Sequence, residues 1–212
     1  MTDDARRYSP SVARNRDPIL AVLRRHLLAR GLVLEIASGS GEHIVHVAQN
    51  TGRQDTGDKG GRPGLVFQPS DPDADARASI DSWVTALGVP NIRPALALDA
   101  SSDTWPIDRA DVVMCINMIH IAPWTAAIGL IGGAARILPP AGRLYLYGPY
   151  RRDGAHTSPS NADFDRDLRS RNPAWGVRDL EAVVALADAH GFAPPMIDAM
   201  PANNLSLIFT RE

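Results

Sequence analysis

The stretch VLEIASGSGEH, residues 33–43, decides the fold. It begins with an apolar run typical of a buried strand, breaks at Gly39 and Gly41, and continues into a helical pattern of apolar residues from Ile44. Glycine in such a turn lets a ligand or another backbone approach more closely than a β-carbon allows, and the helix start behind it offers free amide donors. The stretch therefore predicts a strand, a turn and a helix that together hold a small polar molecule.

Length and composition indicate one domain with no evident polyanionic partner. The 212 residues are 44% hydrophobic, which suffices for one core, so we expect a single domain over residues 1–212. A formal charge of −2 gives no broad reason to bind nucleic acid or an anionic membrane. The one cysteine, Cys115, lies in an apolar run, and we expect neither a disulfide nor a metal site. No apolar segment resembles a signal peptide or a membrane span, so we expect a cytoplasmic protein.

Strand and helix patterns alternate along the chain. The predicted strands are residues 33–36, 65–71, 92–99, 110–117, 142–150, 195–200 and 205–210. The alternation predicts an α/β, Rossmann-like doubly wound fold, with a mostly parallel seven-stranded sheet, helices on both faces and an antiparallel C-terminal strand pair. In such a sheet the ligand binds beyond the carboxyl ends of the strands, where the glycine turn also lies.

Two further segments flank this pattern. Asp17 is a candidate helix cap and Pro18 suits a first helical turn, so we expect an N-terminal helix within residues 14–30 that acts as a lid. Residues 51–64 are rich in glycine and charge and have almost nothing to bury. We expect them to form a mobile surface loop.

The spacing of acidic residues helps to identify the ligand. Asp71 follows Gly39 by 32 residues, and removing the 14-residue segment 51–64 leaves 18, close to the roughly 20 expected between a glycine turn and the acid that binds a ribose. A dinucleotide fingerprint would need a third glycine where Ile44 stands. The pattern therefore favours a ribose-containing cofactor without a pyrophosphate.

At this point the sequence resembles a class I S-adenosylmethionine-dependent methyltransferase. The resemblance is carried by EIASGSG after the first strand, QPSD after the second, ALDAS after the third and INMIHI after the fourth. More closely, the chain resembles the small family that includes methyltransferase-like protein 26. That likeness is carried by RNRDPIL, EIASGSGEH, QPSDPD, CINMIHIAPW, YGPY, SNADFD, RNPAWGVRD and MPANN, between residues 14 and 204.

The resemblance implies S-adenosylmethionine as cofactor and a set of residues that bind it. These are Glu35, Ala37, Ser38, Gly39 and Gly41 at the glycine turn, Asp71 at the ribose, Asp99 and Ala100 at the adenine, and Asn117 and Met118 near the sulfonium. Structural alternatives remain open for the acids. Glu35 and Asp71 are also suited to capping a helix, Asp73 competes with Asp71, and Asp99 also suits a loop.

Catalytic and substrate residues are expected at the same edge. His120 is the best placed base, with Tyr150 as a second candidate near the acceptor, although a histidine on an apolar segment is more often structural. The candidate substrate residues are Asn15, Arg16, Tyr147, Asn161, Asp163, Arg171 and Asn203. The alternative is that the charged residues among them form surface ion pairs and the asparagines shape turns.

The sequence leads to one main hypothesis and two rivals. We expect a methyltransferase that acts on a small polar acceptor, since transfer from a sulfonium mainly requires alignment of the acceptor and, where necessary, removal of a proton. The first rival is a cofactor-binding or scaffold protein without transfer activity. The second, a nicotinamide-dependent oxidoreductase, is disfavoured by the missing third glycine and the antiparallel strand pair.

Overall fold

The computed structural model describes residues 4–51 and 64–212. The helices are α1 (Pro10–His26), α2 (Glu42–Thr51), α3 (Ala74–Leu87), α4 (Trp124–Ile137), α5 (Pro159–Arg171) and α6 (Leu180–Asp188). The strands are β1 (Gly31–Ile36), β2 (Leu65–Ser70), β3 (Val112–Ile116), β4 (Arg143–Arg152), β5 (Ala155–His156), β6 (Arg178–Asp179), β7 (Met196–Met200) and β8 (Asn204–Thr210).

The strands form one eight-stranded sheet with the order β2-β1-β3-β4-β8-β7, and the two-residue strands β5 and β6 pair with the end of β4. The pairs β1–β2, β1–β3 and β3–β4 are parallel, whereas β8 is antiparallel to both β4 and β7. The predicted doubly wound fold with an antiparallel C-terminal pair is therefore confirmed. The order reverses between β1 and β3, which is where open α/β sheets bind their ligands.

Alternation of side chains divides the interior into two cores, one on each face of the sheet. On β1, Leu34 joins the cluster beneath α4 and α6, while Val33 joins the cluster beneath α1 and α2. On β3, Val113 and Met114 divide in the same way. Every residue of β3 is buried, as expected for a central strand covered by helices on both faces.

The predicted strand 92–99 is not continuous. It lies beside β2 and makes only two isolated bridges, Phe67 with Ile92 and Ser70 with Leu96. The ladder is interrupted because Pro69 on β2 has no N–H to donate, and the Ala95 N–H donates instead to Oδ1 of Asp81 at 3.0 Å. Hydrogen bonds remain on either side of Pro69, with Arg93 N–H donating to the Phe67 carbonyl at 2.9 Å.

The first helix begins earlier than predicted. Ser9 is its N-cap and Pro10 its first residue, so Pro18 lies inside the helix and Asp17 does not cap it. Asp17 instead pairs with His46 on α2 at 2.8 Å. Proline suits a first turn, and Pro10 is the residue that occupies it. The proposed loop at 51–64 falls almost wholly on residues 52–63, outside the described part of the chain.

Two absences concern the described residues alone. None of their helices is sufficiently long and apolar to cross a bilayer. Nor do three or more of their His, Cys, Asp and Glu side chains come together in the manner of a metal site. Cys115 is buried on β3, where burial raises the pKa of its thiol.

Candidate functional site at the carboxyl edge of the sheet

The carboxyl ends of β2, β1 and β3 lie in register at one edge of the sheet. Ile36 at the end of β1 pairs with Ser70 on one side and with Cys115 on the other. Residues that directly follow these three strands therefore share this edge. The structure brings together there the glycine turn, Asp71 and Asn117.

The glycine turn runs through left-handed backbone. The φ angles are 56° at Ala37, 56° at Gly39 and 88° at Gly41, and such a value is uncommon for a residue with a β-carbon such as Ala37. A β-carbon at Gly39 would meet no atom within 4 Å, so this position faces open space. One at Gly41 would lie 2.9 Å from the Cα of Ile80 on α3. Gly41 thus serves close packing against α3, whereas the space beside Gly39 is open.

Hydrogen bonds tie the turn to the end of β2. Ser38 N–H donates to the Ser70 carbonyl at 2.9 Å, and Ser70 Oγ donates to the Glu35 carbonyl at 2.7 Å. Gly39 N–H donates to Oδ2 of Asp71 at 2.9 Å. These contacts bridge segments that are more than 30 residues apart, and they hold the turn in one conformation.

Glu35 is the most perturbed acid at this edge. Its side chain is 1% exposed, and Oε2 has no hydrogen-bond partner among the described residues. Burial raises the pKa of its carboxyl to about 8; the negative charge of Asp71 adds to the rise and a hydrogen bond with Ser38 opposes it. A buried unpaired polar atom is costly, and in native structures it marks a strained or functional position.

Asp71 and Asp73 have different roles. Asp73 is the N-cap of α3 and accepts from the Asp75 N–H at 3.1 Å. Asp71 is 7% exposed and accepts from Gly39 N–H through one oxygen and from Asp73 N–H, at 2.9 Å, through the other. Each carboxylate oxygen can accept a further hydrogen bond. Asp71 is therefore the acid that fastens the turn and retains acceptor capacity.

Asp99 and Ala100 lie on the loop that precedes β3. The Asp99 carboxylate is exposed and accepts from the N–H of Ser101 at 2.8 Å and from its hydroxyl at 2.7 Å. This local turn matches the structural alternative for Asp99. Ala100 is buried against α4, where a β-carbon at Gly129 would clash with the Ala100 carbonyl oxygen.

Asn117 directly follows β3 and has a conformation that non-glycine residues rarely adopt. Its φ angle is 63°. The backbone holds it there, because Asn117 N–H donates to the Tyr147 carbonyl at 2.8 Å and its own carbonyl accepts from His120 N–H at 3.1 Å. Left-handed non-glycine residues persist where surrounding contacts enforce them, often at functional sites. Met118, the next residue, is buried in the core.

His120 and Tyr150 lie inside the protein. Both are 0% exposed, and their rings pack edge to face with centroids 5.1 Å apart. His120 Nδ1 accepts from the Arg178 N–H at 3.4 Å, while Nε2 has no partner among the described residues. Burial lowers the pKa of His120 to about 3, and the charge of Arg178 contributes. Burial also raises the pKa of Tyr150.

Three of the candidate substrate residues connect helices to this edge. Asn15 Oδ1 hydrogen bonds with Nε2 of His43 at 2.8 Å, which joins α1 to α2. Burial raises the pKa of Tyr147, and a hydrogen bond with Asn15 opposes the shift. Asn161 donates to the Asn203 carbonyl at 3.0 Å.

The charged candidates lie on the surface. Asp163 pairs with Arg166 at 2.9 Å, and Arg171 pairs with Asp167 at 3.0 Å, all on α5. Arg16 is exposed on α1. These contacts match the alternative of surface ion pairs, which contribute little to stability. Asn203 adopts a left-handed turn conformation with a φ angle of 57°.

Residues 4–9 form an N-terminal strap that sequence reasoning missed. Ser9 N–H donates to Oε2 of Glu42 at 2.7 Å, and Arg7 N–H donates to Oγ of Ser79 at 2.8 Å. Ser79 Oγ in turn donates to the Ser40 carbonyl at 2.8 Å. The strap thus links the glycine turn to α3. No local pattern could reveal contacts between residues 72 positions apart.

Comparisons with known proteins agree with this architecture. A family model described as "Protein of unknown function (DUF938)" matches residues 6–211. An O-methyltransferase family protein from Burkholderia thailandensis superposes with a TM-score of 0.78 at 19% identity, covering 95% of this chain and 57% of that one. Human N-acetylserotonin methyltransferase in complex with S-adenosylmethionine gives 0.74 at 12% identity, with coverage of 95% and 52%.

A smaller neighbour matches over its whole length. The YcgJ protein from Bacillus subtilis gives a TM-score of 0.66 at 16% identity, covering 94% of this chain and 99% of that one. The chain therefore spans little more than half of the larger methyltransferases but the full length of this one. At these identities the comparisons establish the fold that these proteins share.

Proposed function

The chain belongs to that family of proteins of unknown function, and we propose that it is an S-adenosylmethionine-dependent methyltransferase that acts on a small polar acceptor. The observation that carries the proposal is the buried carboxyl oxygen of Glu35 at the glycine turn, which has no partner in the described part of the chain. A protein that only needed a tight turn would have no reason to leave this oxygen unpaired.

The residues at the carboxyl edge fit S-adenosylmethionine. Glu35 offers an acceptor for its ammonium group, and Asp71 retains acceptor capacity for ribose hydroxyls. Gly39 leaves open space beside the turn. Asp99 is exposed at the same edge, as a contact to an adenine amine requires, and Asn117 directly follows β3. The cofactor, when bound, supplies a methyl group on a sulfonium, which needs little further activation.

The acceptor side favours alignment over proton removal. A histidine whose pKa lies near 3 is a weak base at neutral pH. Tyr150 is buried beside it and its hydroxyl has no partner among the described residues. We propose His120 and Tyr150 as the catalytic residues. Their main role in this proposal is to position the segment that follows Asn117. Asn15 and Tyr147 are proposed to border the acceptor, together with Asn161 and Asn203.

Calorimetric titration of the purified protein with S-adenosylmethionine, S-adenosylhomocysteine and NAD tests the proposal. We expect micromolar binding of the first two and none of NAD. Asp71→Asn should weaken that binding, while Asp163→Asn, in an exposed ion pair, serves as the matched control. NAD binding alone would overturn the proposal in favour of an oxidoreductase. If none of the three compounds binds, the result would favour a scaffold without cofactor.

One observation favours the second candidate, a cofactor-binding protein without transfer activity. The two candidate catalytic rings are both fully buried. Binding of S-adenosylmethionine without methylation in a screen of small acids, amines, thiols and phenols would support that candidate.

We further propose that the chain is related to the family that includes methyltransferase-like protein 26, that it acts in the cytoplasm, and that its acceptor is a small molecule rather than nucleic acid.

A further inference from the structure

A cavity of about 170 Å³ lies past the carboxyl edge, beside the loop that follows β3. Three arginines from separate segments contribute to its wall: Arg151 at the end of β4, Arg169 on α5 and Arg178 on β6. Trp124, the first residue of α4, adds an aromatic face. We refer to this space as the arginine cavity.

The arginine cavity carries an excess of positive charge. Its wall holds three guanidinium groups but one carboxylate, that of Asp179. Asp165, which is not part of the wall, pairs with Arg169 at 3.0 Å. The pKa of Arg178 is lowered by burial and by the positive charges of Arg169 and Arg151. Like charges that crowd in this way favour an anion among them.

The arginines use only some of their donors within the protein. Arg151 Nη2 donates to Asp179 at 2.6 Å, but its Nε is buried with no partner among the described residues. Arg169 binds Asp165 through Nε, and its side chain remains 46% exposed. A guanidinium has five N–H donors in a planar fork that matches the two oxygens of a carboxylate or phosphate.

Arg178 connects the cavity to the candidate catalytic segment. Its Nε donates to the Ile119 carbonyl at 2.9 Å and its Nη2 to the Ala122 carbonyl at 2.6 Å. Its backbone N–H reaches Nδ1 of His120 at 3.4 Å. The guanidinium also lies 5.7 Å from the centre of the Trp124 ring, which fixes its orientation. An anion bound here would sit next to the loop that follows Asn117.

We propose that the arginine cavity binds the anionic group of the acceptor, a carboxylate or a phosphate. This inference rests on the proposed methyltransferase function, because only a transferase has an acceptor whose anionic group the cavity would bind. Anion binding itself is independent of the cofactor and can be measured without it. The acceptor is thus a small acid or phosphate ester whose anionic end occupies the cavity.

The test uses the full chain and three simple probes: inorganic phosphate, benzoate, and benzamide as the neutral counterpart of benzoate. Arginine Nε–H resonances in ¹H–¹⁵N spectra report binding at each guanidinium. We expect phosphate or benzoate to shift the signals of Arg151, Arg169 and Arg178, and benzamide to shift none. Arg169→Gln should weaken binding about tenfold, since one charge-assisted contact is lost. Arg166 lies on the same helix and pairs with Asp163 outside the cavity, so Arg166→Gln should leave the affinity for these probes unchanged.

The outcomes separate the possible ligands. Binding of phosphate alone identifies a phosphate-bearing acceptor, and binding of benzoate alone identifies a carboxylate. Shifts that are equal for benzoate and benzamide, equal losses in Arg166→Gln and Arg169→Gln, or no shift with any probe would overturn the proposal. A parallel titration with S-adenosylhomocysteine tests the methyltransferase function separately, because its failure would leave the anion result standing while removing the acceptor role.

Discussion

Glu35→Gln should make the free protein more stable at neutral pH. The carboxyl of Glu35 has a pKa of about 8 in the folded chain and an ordinary value of 4.5. The folded state therefore holds this proton more tightly than the unfolded state, and stability falls as pH rises from 4.5 towards 8. At about 1.4 kcal/mol per pH unit, this acid costs the folded state about 3 kcal/mol at pH 7. Glutamine has the same shape and cannot ionise.

Urea unfolding of both proteins at pH 5 and pH 8 measures the effect. Below pH 4.5 the two should differ little, because Glu35 is protonated in both states. By pH 8 the variant should gain about 3 to 4 kcal/mol relative to its difference at pH 5. Asp163→Asn removes a carboxylate from an exposed ion pair and controls for the change in net charge.

A stability difference that is the same at both pH values would refute this reasoning, because Glu35 would then be ionised or paired in the folded chain. The gain in stability should be accompanied by a loss of cofactor affinity. S-adenosylhomocysteine should bind the variant more weakly, since a neutral amide cannot pair with its ammonium group. A strained acid that costs stability and contributes to binding is typical of a functional site.

Three further predictions concern neighbouring residues. Asp71→Asn should weaken S-adenosylhomocysteine binding about tenfold by calorimetry, because a charged acceptor is lost; unchanged affinity would remove the ribose assignment. Gly41→Ala should lower the urea unfolding free energy by about 2 kcal/mol or more, since its β-carbon would lie 2.9 Å from Ile80 Cα. Gly39→Ala, with nothing within 4 Å, should cost only about 1 kcal/mol of backbone strain; equal losses would contradict this division. Between pH 6.5 and pH 4.5 the wild type should lose about 2 kcal/mol of unfolding free energy through His120, because this residue, with a pKa near 3, stays neutral when folded. His120→Gln should not show this loss. An unfolding free energy that changes with pH in the variant as it does in the wild type would argue against a buried neutral ring.

Local pattern was sufficient for the architecture. The apolar run of β3, fully buried in the sheet, and the glycine turn after β1 were both predicted from a few consecutive residues. Their signals depend on side-chain periodicity and on turn-forming residues, which act over short distances. One exception also has a local cause, because Pro10 rather than Pro18 occupies the first turn of α1. The other depends on a neighbouring segment, because Pro69 on β2 has no N–H to donate to the predicted third strand.

The glycine turn, Asp71 and Asn117 reach one edge of the sheet because strand register aligns Ile36 with Ser70 and Cys115. The sequence spacing of Asp71 anticipated its place there. It did not indicate that Asp71 would hold the Gly39 amide, or that Gly41 would be needed for packing against α3. Both are contacts between segments more than 30 residues apart.

The sequence by itself determined the order of elements, the glycine turn and the set of acids that follow the strands, because these depend on neighbours along the chain. Only the tertiary structure decided which of these groups are buried, unpaired or shifted in pKa. Folding buries the Glu35 side chain, and Arg151, Arg169 and Arg178 share a cavity because β4, α5 and β6 pack together. Desolvation and charge crowding arise between segments distant in sequence, so they exist only once the chain has folded.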